Sequence, residues 1–98
     1  MVARPETKRL TARINRKQSE QVDAISREEN IDRSAALRKI LDMGIREYMK
    51  RKAVDEYRRC RVSIGKAAET ADVSIAEFYK ILEDEDVPVR IDVSLLKD

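Results

Sequence analysis

The sequence predicts a mainly α protein: a β-α-α unit that can close only as an intertwined dimer, followed by a C-terminal hairpin of helix-turn-helix type. Three observations predict it. Residues 7–14, "TKRLTARI", alternate polar with apolar side chains, the period of a half-buried strand. From residue 16 onward apolar residues recur at helical spacing instead. Asn15, Asp32, Ser63 and Ser74 stand where those stretches begin, and all four are good helix N-caps.

Each element has its own local cause. Residues 1–6 are read as a flexible arm and 7–14 as the strand. In "NRKQ", Asn15 accepts from the first-turn amides while Gln18 reaches back, a variant of the capping box, so a helix is expected over about 16–29 with Val22 and Ile25 as its thin apolar face. Asp32 caps the next helix, and Ile31 before it serves as a hydrophobic staple toward Ala36. Leu37, Ile40, Leu41, Met43, Gly44, Ile45 and Tyr48 then recur at helical spacing, and the stripe runs on through Met49, Ala53, Tyr57 and Cys60 with no proline to stop it. Either one helix spans about 33–60 or two meet near residue 50; the single helix is preferred. Ser63 and Ser74 each precede a further apolar pattern, Ile64, Ala67, Ala68 and Ala71, then Ile75, Phe78, Ile81 and Leu82. The short "ADVS" between them makes an αα-hairpin. Pro88 ends the last helix, leaving an extended tail or a docked strand. The domain organisation expected is an arm (1–6), a β-α-α dimerisation domain (7–51), a helical extension (52–86) and a tail (87–98).

Composition narrows the function classes. With 98 residues, 42% apolar and 41% charged, the chain is expected to be soluble and helix-prone, at most one ordinary domain or two very small ones. One Phe, three Tyr and no Trp leave a modest core, so a small unit is expected to need a second copy or a partner. No apolar run approaches the roughly 18 residues of a membrane helix, and the N-terminus lacks a secretory layout, so a cytoplasmic protein without membrane contact is expected. Cys60 cannot form an internal disulfide and no histidine exists to join it in a metal site, so it is read as a small packing residue. Gly44 and Gly65 are the only glycines, too few for a phosphate-cradling loop. Neither a cofactor, a metal nor enzymatic activity is expected.

The β-α-α unit buries too little alone. A twofold axis solves this, because the strand then pairs antiparallel with its own symmetry mate. Leu10, Ala12 and Ile14 would enter a dimer core with Leu37, Ile40 and Leu41, while Arg9, Thr11 and Arg13 would line the outer face. On "KRLTARI" for the ribbon, Val22 and Ile25 on the first helix and "NIDRSAALRKIL" for the turn and second helix, residues 8–50 resemble the ribbon-helix-helix DNA-binding family of the Arc, MetJ and CopG type. The resemblance implies a homodimer whose β-ribbon enters the major groove of a double-stranded operator. It implies base reading by Arg9, Thr11 and Arg13, and phosphate contacts by Lys8 and at Arg33 and Ser34 on the second helix's N-terminus. Asp32 at that terminus is primarily a cap. The alternative is a basic arm that binds phosphate without sequence preference.

Charge divides the chain. Residues 1–61 carry 17 Lys/Arg against 10 Asp/Glu, net +7, while residues 62–98 carry 4 against 9, net −5. A basic front suits nucleic acid and an acidic back something else. If the hairpin read DNA, its second helix would present Glu77, Lys80, Glu83, Asp84 and Glu85, the wrong charges for a phosphate-lined groove. The back half, through "SIGKAAE" and the "VS", "EF" and "PV" phrases that follow, resembles short prokaryotic proteins associated with antitoxins. That resemblance implies a transcriptional repressor that is the autoregulating antitoxin of a toxin–antitoxin pair. Its toxin, a small ribonuclease-type protein, would be held through residues 62–98 with Phe78, Tyr79, Leu82, Val89 and Ile91 as contacts. The alternative is a plain repressor of unrelated genes whose hairpin serves only oligomerisation.

Overall fold

A computed structural model of the protein describes residues 6–90. Four helices form among them: α1 (Arg16–Glu29), α2 (Arg33–Arg58), α3 (Ile64–Ala71) and α4 (Ile75–Asp84). The described residues contain no strand. The chain divides into two compact units between Lys39 and Ile40.

The strand expected over residues 7–14 is therefore absent, and with it the β-α-α ribbon-helix-helix fold. Residues 6–14 carry no regular secondary structure. Alternation makes a strand only where a second backbone offers hydrogen-bond partners, and no other described segment does so here. Leu10 is 84% exposed, Ile14 46%, and Ala12 is exposed as well. Leu37 and Leu41 also lie open and Ile40 is only half-buried, so the six residues assigned to a dimer core form no core in the chain. The tail beyond Arg90, like the first five residues of the arm, lies outside the described residues.

The first unit is small. Asn15 caps α1 by accepting from the Gln18 amide at 2.7 Å, and the Gln18 side chain accepts from the Asn15 amide at 3.1 Å, which completes the capping box. Asn30 ends the helix in the left-handed conformation, φ 55°, and the Ile31 amide donates back to the Ser26 carbonyl at 3.0 Å. The Asp32 carboxylate then caps α2 through the Ala35 amide at 2.7 Å. Lys39 pairs with Glu29 at 2.5 Å and Arg33 with Asp23 at 3.1 Å. Among the described apolar side chains of this unit, Val22 and Ala36 alone are buried.

The second unit holds the main core. Ala53, Val54 and Tyr57 from α2 meet Ile64, Ala67, Ala68 and Ala71 from α3, Phe78 and Leu82 from α4, and Val87 beyond it. The alanines give α3 a nearly flat face, so α4 packs close against it. Tyr57 is 2% exposed and meets the Phe78 ring edge-on, centroids 6.1 Å apart. Arg90 closes the core from the far end of the unit. Its backbone amide donates to the Tyr57 hydroxyl at 2.9 Å, and its guanidinium lies 4.0 Å from the ring centroid while donating to the carbonyls of Tyr57 and Val62. Ser63 and Ser74 cap α3 and α4. On the surface of α2, the Lys50 ammonium, hydrogen-bonded to Glu47 at 3.0 Å, holds that carboxyl below its ordinary value, with Arg51 assisting.

Helix α2 ends at Arg58, two residues short of the expected 60, because Cys60 turns left-handed at φ 59° and the Arg61 amide donates back to the Glu56 carbonyl. Cys60 is consequently exposed at a helix end and is not the packing residue expected of it. Asn30, Cys60, Asp72 and Asp86 all adopt positive φ after their helices, where glycine is the usual choice.

Two stability measurements check this packing. Phe78→Ala is expected to cost about 3–5 kcal/mol in urea unfolding, because it empties the centre of the core. Asp86→Gly is expected to raise stability by about 0.5–1 kcal/mol, since glycine removes the left-handed strain at that position.

Candidate nucleic-acid interface

Lys8, Arg9, Arg13, Arg16 and Lys17 place five cations within ten residues, with Glu6 the one acid beside them. All five are exposed. None forms an ion pair with another described residue. Thr11 and the two arginines that flank it at alternate positions are solvent-facing too. Arg16 and Lys17 open α1, whose first turn contains no acid. The partial positive charge at a helix N-terminus disfavours cations there, so an anion bound beside them relieves two repulsions at once.

The start of α2 is different. The resemblance implies a phosphate on the backbone amides of Arg33 and Ser34, and the Arg33 guanidinium beside them is turned to Asp23 at 3.1 Å and to the Ser19 hydroxyl at 3.1 Å. Ser34 is exposed, but the Asp32 carboxylate occupies the head of the helix through the Ala35 amide and places a negative charge there. Thus the structure leaves Lys8 available to a phosphate and engages Arg33 within its own unit.

The second unit presents another surface. Phe78 and Leu82, read as partner contacts, are fully buried and hold the hairpin together. Of that set Tyr79 and Val89 are exposed, and Ile91 lies outside the described residues. Sequence reasoning missed Ile75, 49% exposed and one helical turn from Tyr79. The i, i+4 spacing of these two was visible; which apolar face of α4 turns inward was not. Around them Asp72, Glu77, Glu83, Asp84, Glu85 and Asp86 are all exposed, against Lys80 alone. On α2, Leu41, Ile45 and Tyr48 form a further exposed apolar row with Gly44 between them. A cleft of about 240 Å³ lies between Ile45 and Met49 of α2 and the turn at Asp72 and Val73.

Among the described residues no group of three or more His, Cys, Asp or Glu side chains is placed to hold a metal ion. No described helix is long and apolar enough to cross a membrane.

These features define a small helical protein that carries an unpaired basic segment ahead of its first helix and a strongly acidic last helix. The uncharacterised protein family UPF0175 matches residues 32–98, and the chain belongs to that family. A UPF0175 protein of Archaeoglobus fulgidus is 47% identical over 45 residues, which are 46% of this chain and 52% of that relative. The chain thus spans about half the length of the curated relative it matches. No solved structure matches. The resemblance to ribbon-helix-helix proteins is overturned on both counts: no such family matches, and the described residues hold no strand. The antitoxin-associated resemblance of the back half gives way to membership of UPF0175.

Gly44 tests whether the exposed α2 row is free in solution. An added Cβ there meets nothing within 4 Å, so Gly44→Ala is expected to raise stability by about 1 kcal/mol in urea unfolding. A loss of stability would mean that a backbone is packed against that face.

Proposed function

We propose that the protein is a DNA-binding transcriptional regulator of the cytoplasm. Its basic segment, residues 8–17, contacts double-stranded DNA, and its acidic C-terminal half holds a protein, the arrangement of an autoregulating antitoxin. One observation carries this reading: five exposed cations, unpaired with any described residue, stand within the ten residues that lead into the positive end of α1. A polyanion supplies the missing counter-charge, and phosphates spaced along a duplex suit cations spaced along a chain. Lys8, Arg16 and Lys17 serve the phosphates. Arg9 and Arg13 can fork onto guanine edges, and Thr11 between them can hydrogen-bond a base or touch a thymine methyl. The net −5 of residues 62–98 supports a separate role for the back half, because it opposes any second contact with DNA.

Fluorescence anisotropy with a labelled duplex tests the DNA contact. Binding is expected to weaken with salt, with a slope on logarithmic axes of about −3 if Lys8, Arg16 and Lys17 each meet roughly one phosphate. Arg9→Ala and Arg13→Ala should each cost about 1–3 kcal/mol on the preferred duplex and less on random sequence. Equal losses on both duplexes would remove base reading and leave a phosphate-binding arm. No binding at low salt would end the proposal.

A further inference from the structure

The last helix displays a surface whose chemistry is at odds with its own local stability. Glu83 and Asp84 close α4, and Glu85 and Asp86 follow directly, with no basic residue in the last turn. The C-terminal end of a helix carries partial negative charge, so each of these carboxylates is repelled where it stands. Asp86 adds a second cost, holding φ 58° where glycine would be unstrained. Glu77, Glu83, Asp84 and Asp86 form no ion pair with any described residue, and all are exposed. Alongside them Ile75 and Tyr79 stand one turn apart, 49% and 41% exposed, with Glu83 the next residue in the same row. The core fixes that row in place, because Phe78 and Leu82, without exposure, anchor the adjoining face of the same helix.

We propose that the exposed row of α4 beside its buried face, with Ile75 and Tyr79 as apolar anchors next to an acidic helix end, is the docking site for a basic segment of a partner protein that bears an apolar side chain. Cations brought to Glu83, Asp84 and Asp86 remove the repulsion at the helix end, so the surface is electrostatically primed for a positive partner and against a negative one. An aromatic ring flanked by carboxylates is also the composition of a contact centre with a charged rim. This assignment rests on the reading that the C-terminal half holds a protein; DNA contact by residues 8–17 does not enter it.

The test uses the full chain and two labelled dodecapeptides, one alternating arginine with leucine and one alternating arginine with glycine, followed by anisotropy. The arginine–leucine peptide is expected to bind at least 10-fold more tightly. Ile75→Ala/Tyr79→Ala should remove at least 10-fold of that affinity while duplex DNA affinity stays unchanged. Glu83→Gln/Asp84→Asn separates docking from folding, because it should raise the melting temperature by relieving the helix end and still weaken the peptide at least 5-fold. No peptide binding, equal binding of both peptides, or a double alanine variant that binds as the parent does would overturn the proposal. A peptide of residues 6–17 of this chain that binds α4 as tightly, together with salt-sensitive self-association of the full chain, would overturn it in favour of a second copy as the occupant.

Discussion

The second unit depends on the burial of Tyr57. A tyrosine taken out of water must satisfy its hydroxyl, and here the hydroxyl accepts from the Arg90 amide, 33 residues further along the chain. The same arginine lays its guanidinium on the ring and donates to the carbonyls of Tyr57 and Val62, which the end of α2 and the following turn would otherwise leave to solvent. One residue pair therefore ties the close of α2 to the chain beyond α4. Phe78 fills the remaining side of the ring, and the alanine face of α3 lets both helices approach. With the inner side of α4 committed in this way, its outer side is equally fixed, so its acids are held on display.

Charge in this protein runs against helix dipoles most heavily at two places. Cations open α1 and carboxylates close α4, each at the helix end that disfavours them. Other positions follow the ordinary rules. Arg27 and Arg58 lie in the last turns of α1 and α2, Glu77 lies in the first turn of α4, and α2 carries Glu47–Arg51 and Asp55–Arg59 pairs one turn apart. At these two ends exposed charge of one sign accumulates without an ion pair among the described residues. The proposed duplex at the front and basic protein at the back would supply the opposite charges.

The helices were legible because their causes are local. Asn15, Asp32, Ser63 and Ser74 each accept from the amide three residues on, as their side chains allow wherever a helical pattern follows. Asp72 and Asp86 take the left-handed conformation that glycine would adopt more freely. Residues 7–14 were misleading because alternation records only which side chains differ in polarity, whereas a strand also needs a neighbour that a linear pattern cannot supply. The site was partly legible for the same reason. Cations at Lys8, Arg9 and Arg13 announce themselves in the sequence, but the engagement of Arg33 by Asp23 and the burial of Phe78 and Leu82 depend on how helices pack.

DNA is proposed to meet the segment ahead of α1 and to avoid α4. Backbone amide chemical shifts of the full chain, recorded by nuclear magnetic resonance as a short duplex is added, test it most directly. Shifts concentrated over residues 6–17, with α3 and α4 unmoved, are the predicted result. Shifts centred on the residues from Ile75 to Asp84, or none along the basic segment, would contradict it.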